Sequence, residues 1–172
     1  MIISLINSFK LLFDFIAEHY NSQMIQRYYF DTSIFGGYFD PEFFKETKQI
    51  FDTVLKGKII CIYSDLCEKE LILAPSRISA LLEKIPFAFK QKILVTPECL
   101  ELASSYIKHK VDGYTSLDDC IHIATATIYH ADALLSWNFK HIVNSDRITG
   151  YNHVNSAYGY VKIPIKSPRE IK

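Results

Sequence analysis

Ile25-Gln26-Arg27-Tyr28-Tyr29-Phe30-Asp31 is a short run of apolar and aromatic side chains that ends on an acid. Related runs recur along the chain. Lys58-Ile59-Ile60-Cys61-Ile62-Tyr63 is followed by Ser64 and then Glu70, and Ala133-Leu134-Leu135-Ser136-Trp137 is followed by Asn138. Short runs rich in β-branched and aromatic residues read as strands buried on both faces, the pattern of a parallel sheet. Helix signals lie between them. Asp40-Pro41-Glu42 supplies an N-cap, a proline at the first helical position and an acid in the first turn, predicting a helix to about Lys56 with Gly57 as its stop. Ser64 can cap a helix carrying Cys67, Glu70 and Leu71, and Pro75 and Pro86 punctuate a mostly helical middle. Ile93–Val95 reads as a short strand, and Thr96-Pro97-Glu98 opens another helix. Ser116-Leu117-Asp118-Asp119 matches a capping box of the aspartate variety, opening a helix to about His130. A polar helix within 144–155 and a last strand at Tyr160–Ile165 complete the pattern. Alternation of this kind predicts an α/β fold of three layers, α/β/α, around a central, mostly parallel sheet.

The chain of 172 residues is long enough for one domain with a real core and too short for two ordinary ones. Apolar residues make up 49% of it, which excludes a disordered chain. The formal net charge is zero, so any nucleic-acid surface must be a local patch. Cys61, Cys67, Cys99 and Cys120 form no CxxC pair, and Cys61 and Cys120 lie within apolar patterns as small core residues. A reduced, cytoplasmic setting follows as the expectation.

Residues 1–23 read as a separate extension before a domain at 24–172. Ile2, Leu5, Ile6, Phe9, Leu12, Phe13, Ile16 and Tyr20 recur at helical spacing, and Lys10, Asp14 and Glu18 interrupt them. Those charges make the apolar stretch too short for a membrane span, and no basic leader or small-residue cleavage site is visible, so no membrane partner is expected. Three readings remain open: an amphipathic helix packed on the domain, an artefact of an upstream start because Met24 immediately precedes the first strand, and a helix that binds a partner or an interface.

In an open α/β sheet the carboxyl ends of the strands line the binding crevice. Asp31, Glu70 and Asp119, distant in sequence, are therefore expected to meet at one sheet edge. Clustered carboxylates repel unless a cation sits among them, and hard oxygen ligands suit magnesium or manganese. Each residue also has a plain structural reading. Asp31 could start a turn, and Asp119, with its neighbour Asp118, could serve the helix dipole. Glu68 rivals Glu70, and Asn138 could bond its own loop. His122 lies at i+3 from Asp119, where side chains touch, and reads first as a packed histidine and second as a proton donor. No HExxH and no cysteine pair at finger spacing is present, which argues against zinc. Trp137 reads as a core anchor.

Tyr29-Phe30-Asp31-Thr32-Ser33, Ser64 through Glu70-Leu71, Asp119-Cys120-Ile121-His122-Ile123-Ala124-Thr125-Ala126 and Leu135-Ser136-Trp137-Asn138-Phe139-Lys140-His141 together resemble the PIN-domain family, which includes the VapC-type toxins of bacterial toxin–antitoxin pairs. The resemblance spans about residues 25–165. It implies a PIN-like fold and a metal-dependent ribonuclease in which Asp31, Glu70 and Asp119 hold one or two magnesium or manganese ions. Asn138 matches a fourth acidic or polar position, where an amide weakens the case for a second tightly held metal but can orient a metal-bound water. It further implies an RNA substrate, an antitoxin partner and a homodimer. Lys69, Lys140 and His141 could steer RNA, and Lys140, just beyond a strand end, is the best candidate phosphate contact; the Lys108-His109-Lys110 cluster reads as solvated helix charges.

Two other readings compete. A phosphatase of the haloacid-dehalogenase type also carries an aspartate after its first strand but wants a second aspartate two residues on, where this chain has Ser33. A non-catalytic PIN-fold module that binds RNA or protein is kept alive by Asn138 and opposed by the three acids.

Overall fold

The computed structural model describes residues 25–171, and the amphipathic segment read over residues 1–23 lies outside them. Five parallel strands form one sheet in the order β3-β2-β1-β4-β5. They are β1 (Gln26–Phe30), β2 (Ile59–Ser64), β3 (Lys90–Ile93), β4 (Ala133–Leu135) and β5 (Ile165–Lys166). The sheet is thus wholly parallel, with β1 at its centre, paired with β2 on one side and β4 on the other.

The period-2 alternation of side chains sorts the core into two halves. Tyr28, Phe30, Cys61, Tyr63, Ala133 and Leu135 face one side; Tyr29, Ile62, Leu134 and Ile165 face the other. The first half packs against α1 (Thr32–Gly37), α2 (Phe44–Leu55), α3 (Asp65–Leu73) and α4 (Ser76–Lys84). There Phe30, Phe35 and Phe51 meet at ring-centroid separations of 5.7–6.2 Å, tilted or edge-on, an arrangement worth about 0.5–1.5 kcal/mol per pair beyond area burial. The second half packs against α5 (Pro97–Lys108), α6 (Leu117–Ile128) and α7 (Ser145–Ala157). From Cys120 to Thr127 every residue of α6 is buried. That burial explains a run in which apolar and small residues occupy all faces rather than one stripe.

Most sequence signals lie where expected. Ser64 caps α3 by accepting from the Cys67 N–H, Thr96 caps α5 with Pro97 at its start, and Gly57 follows α2 with φ +68°. Several boundaries differ for physical reasons. The helix expected from Asp40 begins at Phe44, because Asp40 closes a turn: its carboxylate accepts from the Glu42 N–H at 2.8 Å and its carbonyl from the Phe44 N–H at 2.8 Å. Helix α1, directly after Asp31, is short and carries two glycines, so no periodicity announced it. Gly37 permits α1 to approach the loop that follows β4; a Cβ there would lie 2.6 Å from the Trp137 Nε1. Strand β3 covers Lys90–Ile93 rather than Ile93–Val95: it is an edge strand, mostly solvated, whose polar residues hide it from a hydrophobic-run reading. β5 is only Ile165–Lys166, since Asn152 on α7 holds both backbone groups of Ile163 and takes them out of the ladder. The capping box at Ser116 is absent, because the Ser116 hydroxyl bonds His141 instead of its own helix.

Among the described residues, no helix is long and apolar enough to cross a membrane. Trp137 is buried, stacks on Phe43 at 4.4 Å and donates from Nε1 to the Thr47 hydroxyl, as a core anchor should.

Candidate metal centre at the carboxyl edge of the sheet

Strand order reverses between β1 and β4: the chain winds outward from β1 through β2 and β3, then returns to β4 on the other side. A crevice must open at that switch point, outside the carboxyl ends of both strands. Asp31 is the first residue past β1, and Ser136, Trp137 and Asn138 are the first three past β4. The ladder continues into the site, since the Asp31 N–H donates to the Leu135 carbonyl at 3.1 Å.

Asp31 is buried and its carboxylate is clamped. The hydroxyls of Ser33 and Ser136 both donate to Oδ2 at 2.6 Å. These short, charge-assisted bonds hold one oxygen and leave Oδ1 directed to the crevice. Both serines are themselves positioned: Ser33 Oγ accepts the Trp137 N–H, and Ser136 Oγ accepts the Asn138 N–H, each at 2.9 Å. Two hydroxyls thus tie the chain after β1 to the chain after β4.

Glu70 enters from α3, two turns beyond its Ser64 cap. Its Oε2 accepts from the Thr32 hydroxyl and lies 3.0 Å from the His122 Nε2. His122 rises from α6, 1% exposed, with Nε2 also 3.9 Å from the Asp31 Oδ1. One ligand atom from each of Asp31, Glu70 and His122 lies within 4.8 Å of the other two. Burial works against the ionised form of Glu70, but the hydrogen bond and charge of His122 and the Thr32 hydroxyl outweigh it, and its pKa falls below the ordinary carboxylate value. Burial likewise works against the His122 imidazolium. The hydrogen bond to Glu70 and the charges of Asp31, Glu70 and Asp119 prevail, raising its pKa.

Asp119, in the first turn of α6, is outside this group of three, though near enough for the charges of Asp31 and His122 to act on it. Burial and then the charge of Asp31 raise its pKa, partly opposed by His141, His122 and Asn138. Asn138 donates from Nδ2 to the Asp119 Oδ1 at 2.9 Å, while its Oδ1 accepts the His141 N–H at 3.1 Å. The partners fix the orientation of the amide, since a backbone N–H only donates and a carboxylate only accepts. Asn138 is therefore both a loop residue with a local backbone bond and a support for Asp119. Its carbonyl, the group suited to orient water, is engaged by the loop.

The rival acids are placed elsewhere. Asp118 is exposed, and Glu68 pairs with Lys92 at 2.5 Å. Lys140 is exposed on the loop that carries Asn138, while Lys69 faces Asp65 at 3.8 Å.

The hydroxyls of Thr32, Ser33 and Ser136 join the site without being expected from the sequence, and His122 joins it from outside the expected ligand set. Ser33 and Ser136 carried a signal in their positions, three residues past the end of β1 and one past the end of β4. A second buried cluster also went unread. Asp112, 8% exposed, receives Arg147, the Tyr151 hydroxyl at 3.0 Å, the Gly113 N–H at 2.7 Å and the His141 Nδ1 at 3.1 Å. Burial opposes its ionisation, but Arg147, then the Gly113 N–H and the Tyr151 and Ser116 hydroxyls, hold its pKa down at about 2. The cluster fastens the loop of Asn138 to α7 and to the entry of α6.

No family model matches the chain, and no curated protein matches it by sequence. Solved structures do match in fold. A toxin–antitoxin complex from Klebsiella pneumoniae aligns with 19% identity over 83% of this chain and 98% of its own, at a TM-score of 0.53. FitAB bound to a DNA fragment aligns with 12% identity over 84% and 97%, at 0.55. The Mycobacterium tuberculosis toxin VapC20, which cleaves the sarcin–ricin loop, aligns with 15% identity over 80% and 98%, at 0.52. These likenesses establish that the chain has the PIN-like fold of those toxins.

Proposed function

We propose that this chain is a metal-dependent endoribonuclease of the PIN-domain kind, cleaving RNA phosphodiester bonds as the toxin of a toxin–antitoxin pair. The observation that carries the reading is the meeting of Asp31 and Glu70 with His122 at the switch point, with Asp119 beside them. Such a group of buried and half-buried acids, drawn from β1, α3 and α6, is costly without a cation. The fold shared with a sarcin–ricin loop cleaving toxin supports the substrate class.

Asp31, Glu70 and Asp119 would hold magnesium or manganese. The bound ion would supply Lewis acidity toward a phosphate oxygen and an activated water. The chain's own part is orientation. Ser33 and Ser136 fix one oxygen of Asp31 so that the other points into the crevice, and Thr32 fixes Glu70. Asn138 fixes Asp119 as a positioning residue, and Lys140, exposed on the same loop, is the proposed contact for the RNA backbone. The toxin–antitoxin complexes that share the fold support an antitoxin partner and a dimer for this chain also. All four cysteines are free and buried, consistent with the cytoplasm as its setting.

Asp31→Asn and Asp119→Asn are expected each to abolish cleavage of single-stranded RNA while leaving circular dichroism and melting intact. Induced expression of the wild-type chain should arrest bacterial growth and that of Asp31→Asn should not. Cleavage that survives either substitution would refute the assignment; a folded wild-type chain that binds RNA without cutting it would favour the non-catalytic module.

A further inference from the structure

We infer that His122 is a ligand of the metal, so that this site takes a first-row transition ion of the manganese class in preference to magnesium. The inference rests on the metal-dependent reading above and concerns which atoms hold the ion.

The geometry carries it. Two donors on one ion, each about 2.1 Å from it, lie between roughly 3 Å apart when adjacent and roughly 4 Å apart when opposite. The His122 Nε2 is 3.0 Å from the Glu70 Oε2 and 3.9 Å from the Asp31 Oδ1, both inside that range. The other ring nitrogen is supported from behind, as a metal-ligating histidine requires. Nδ1 lies 2.7 Å from the Tyr29 hydroxyl, which lies 2.7 Å from the Ser64 hydroxyl, itself anchored by the Cys67 N–H. When the Tyr29 hydroxyl donates to Ser64, its oxygen accepts from the Nδ1–H, and Nε2 faces the two carboxylates. A lone pair on Nε2 would repel the carboxylate oxygens at these distances, so a positive centre must bridge them. Either a proton or a metal ion fills that role, and Tyr29 and Ser64 orient the ring correctly for both.

An imidazole nitrogen among the donors changes the preference of the site. Magnesium favours oxygen ligands and retains its waters, whereas imidazole suits first-row transition ions, which also gain along the series that begins at manganese. Carboxylates alone would accept either ion. Carboxylates joined by a fixed imidazole discriminate.

The test uses the full-length chain with manganese chloride or magnesium chloride as the only ligand. Pulsed electron paramagnetic resonance of the manganese-loaded protein should show modulation from a directly bound imidazole nitrogen. Calorimetry should show manganese binding at least tenfold tighter than magnesium, and His122→Gln should narrow that ratio and remove the nitrogen signal. The substitution is checked by circular dichroism; should it unfold the protein, the spectrum of the wild-type chain decides alone. Manganese bound without a nitrogen signal, or a manganese-to-magnesium ratio unchanged in a folded His122→Gln, overturns the role of His122 and leaves the nuclease reading standing. Absence of any manganese binding overturns both.

Discussion

Asn138→Asp is the substitution whose outcome the geometry constrains best. The amide nitrogen that donates to Asp119 at 2.9 Å would become a carboxylate oxygen facing a carboxylate oxygen. The lost bond to a charged acceptor is worth about 1.5–3 kcal/mol. Two charges centred about 4 Å apart repel by about 4 kcal/mol at the effective dielectric of a partly buried site. The pair has an escape. Taking up one proton at neutral pH costs a carboxyl of pKa near 3.9 about 4 kcal/mol, so the penalty cannot grow far beyond that. Partial solvation lowers it further, and a net destabilisation of about 2–4 kcal/mol in the metal-free variant is the expectation. For a chain of this size that corresponds to a fall in melting temperature of roughly 4–16 °C. The penalty needs both carboxylates ionised, so it should fade as the pH drops toward 4, below which the pair is protonated in folded and unfolded chains alike. Saturating manganese should reverse it, because the added charge becomes a ligand, and metal affinity should rise above that of the wild type. The assay is thermal melting of both proteins in EDTA and in manganese across pH 4–8. Equal melting temperatures in EDTA at neutral pH, or no additional gain from manganese in the variant, would refute the placement of Asn138 against Asp119 in a metal centre.

Asn138→Ala should weaken manganese binding less than Asp31→Asn does, measured by calorimetry, because it removes a support for Asp119 and no ligand charge. Metal-free stability should be greatest between about pH 4.5 and 6.5. Glu70, with its pKa lowered, contributes stability above its ordinary value of 4.5 that is lost as the pH falls, and His122, with its pKa raised from 6.5, contributes stability below 6.5 that is lost as the pH rises. A pH series of urea melts checks this, and His122→Gln should flatten it. Asp112→Asn should destabilise the chain by about 2–4 kcal/mol, since Arg147 would lose its ionised partner in a buried cluster; chemical denaturation at pH 7 reads it directly. The thiol of Cys67, pushed up to about 12 by burial, should resist alkylation until the protein unfolds.

The layers of the fold were legible because the sheet is parallel and buried on both faces: β1, β2 and β4 announce themselves as apolar runs, and Ser64, Gly57 and Thr96 mark helix ends by chemistry that acts locally. What escaped was decided by tertiary contacts. β3 is a solvated edge strand, and the Ser116 hydroxyl chose His141 over its own helix because His141 is held there by Asp112. Asp31 was legible for the same reason the strands were, since a residue just past a buried parallel strand has only the crevice to face; Glu70 and Asp119 lie inside helices, where the sequence offers Glu68 and Asp118 as equals until the fold turns one face to the crevice. His122 was harder. Its spacing from Asp119 placed it near the site, but only the folded chain brings Glu70 from α3 to its Nε2 and Tyr29 to its Nδ1. Thr32, Ser33 and Ser136 look in sequence like ordinary turn residues, and their role depends on β1 and β4 being neighbours.

The most direct measurement is cleavage of an end-labelled single-stranded RNA by the purified chain, followed across a manganese titration from an EDTA-treated start. The account predicts no cleavage in EDTA, cleavage that rises and saturates with manganese, and none at any manganese concentration with Asp31→Asn. Cleavage of equal rate in EDTA, or a folded, manganese-loaded wild-type chain that leaves every RNA tested intact, would contradict it.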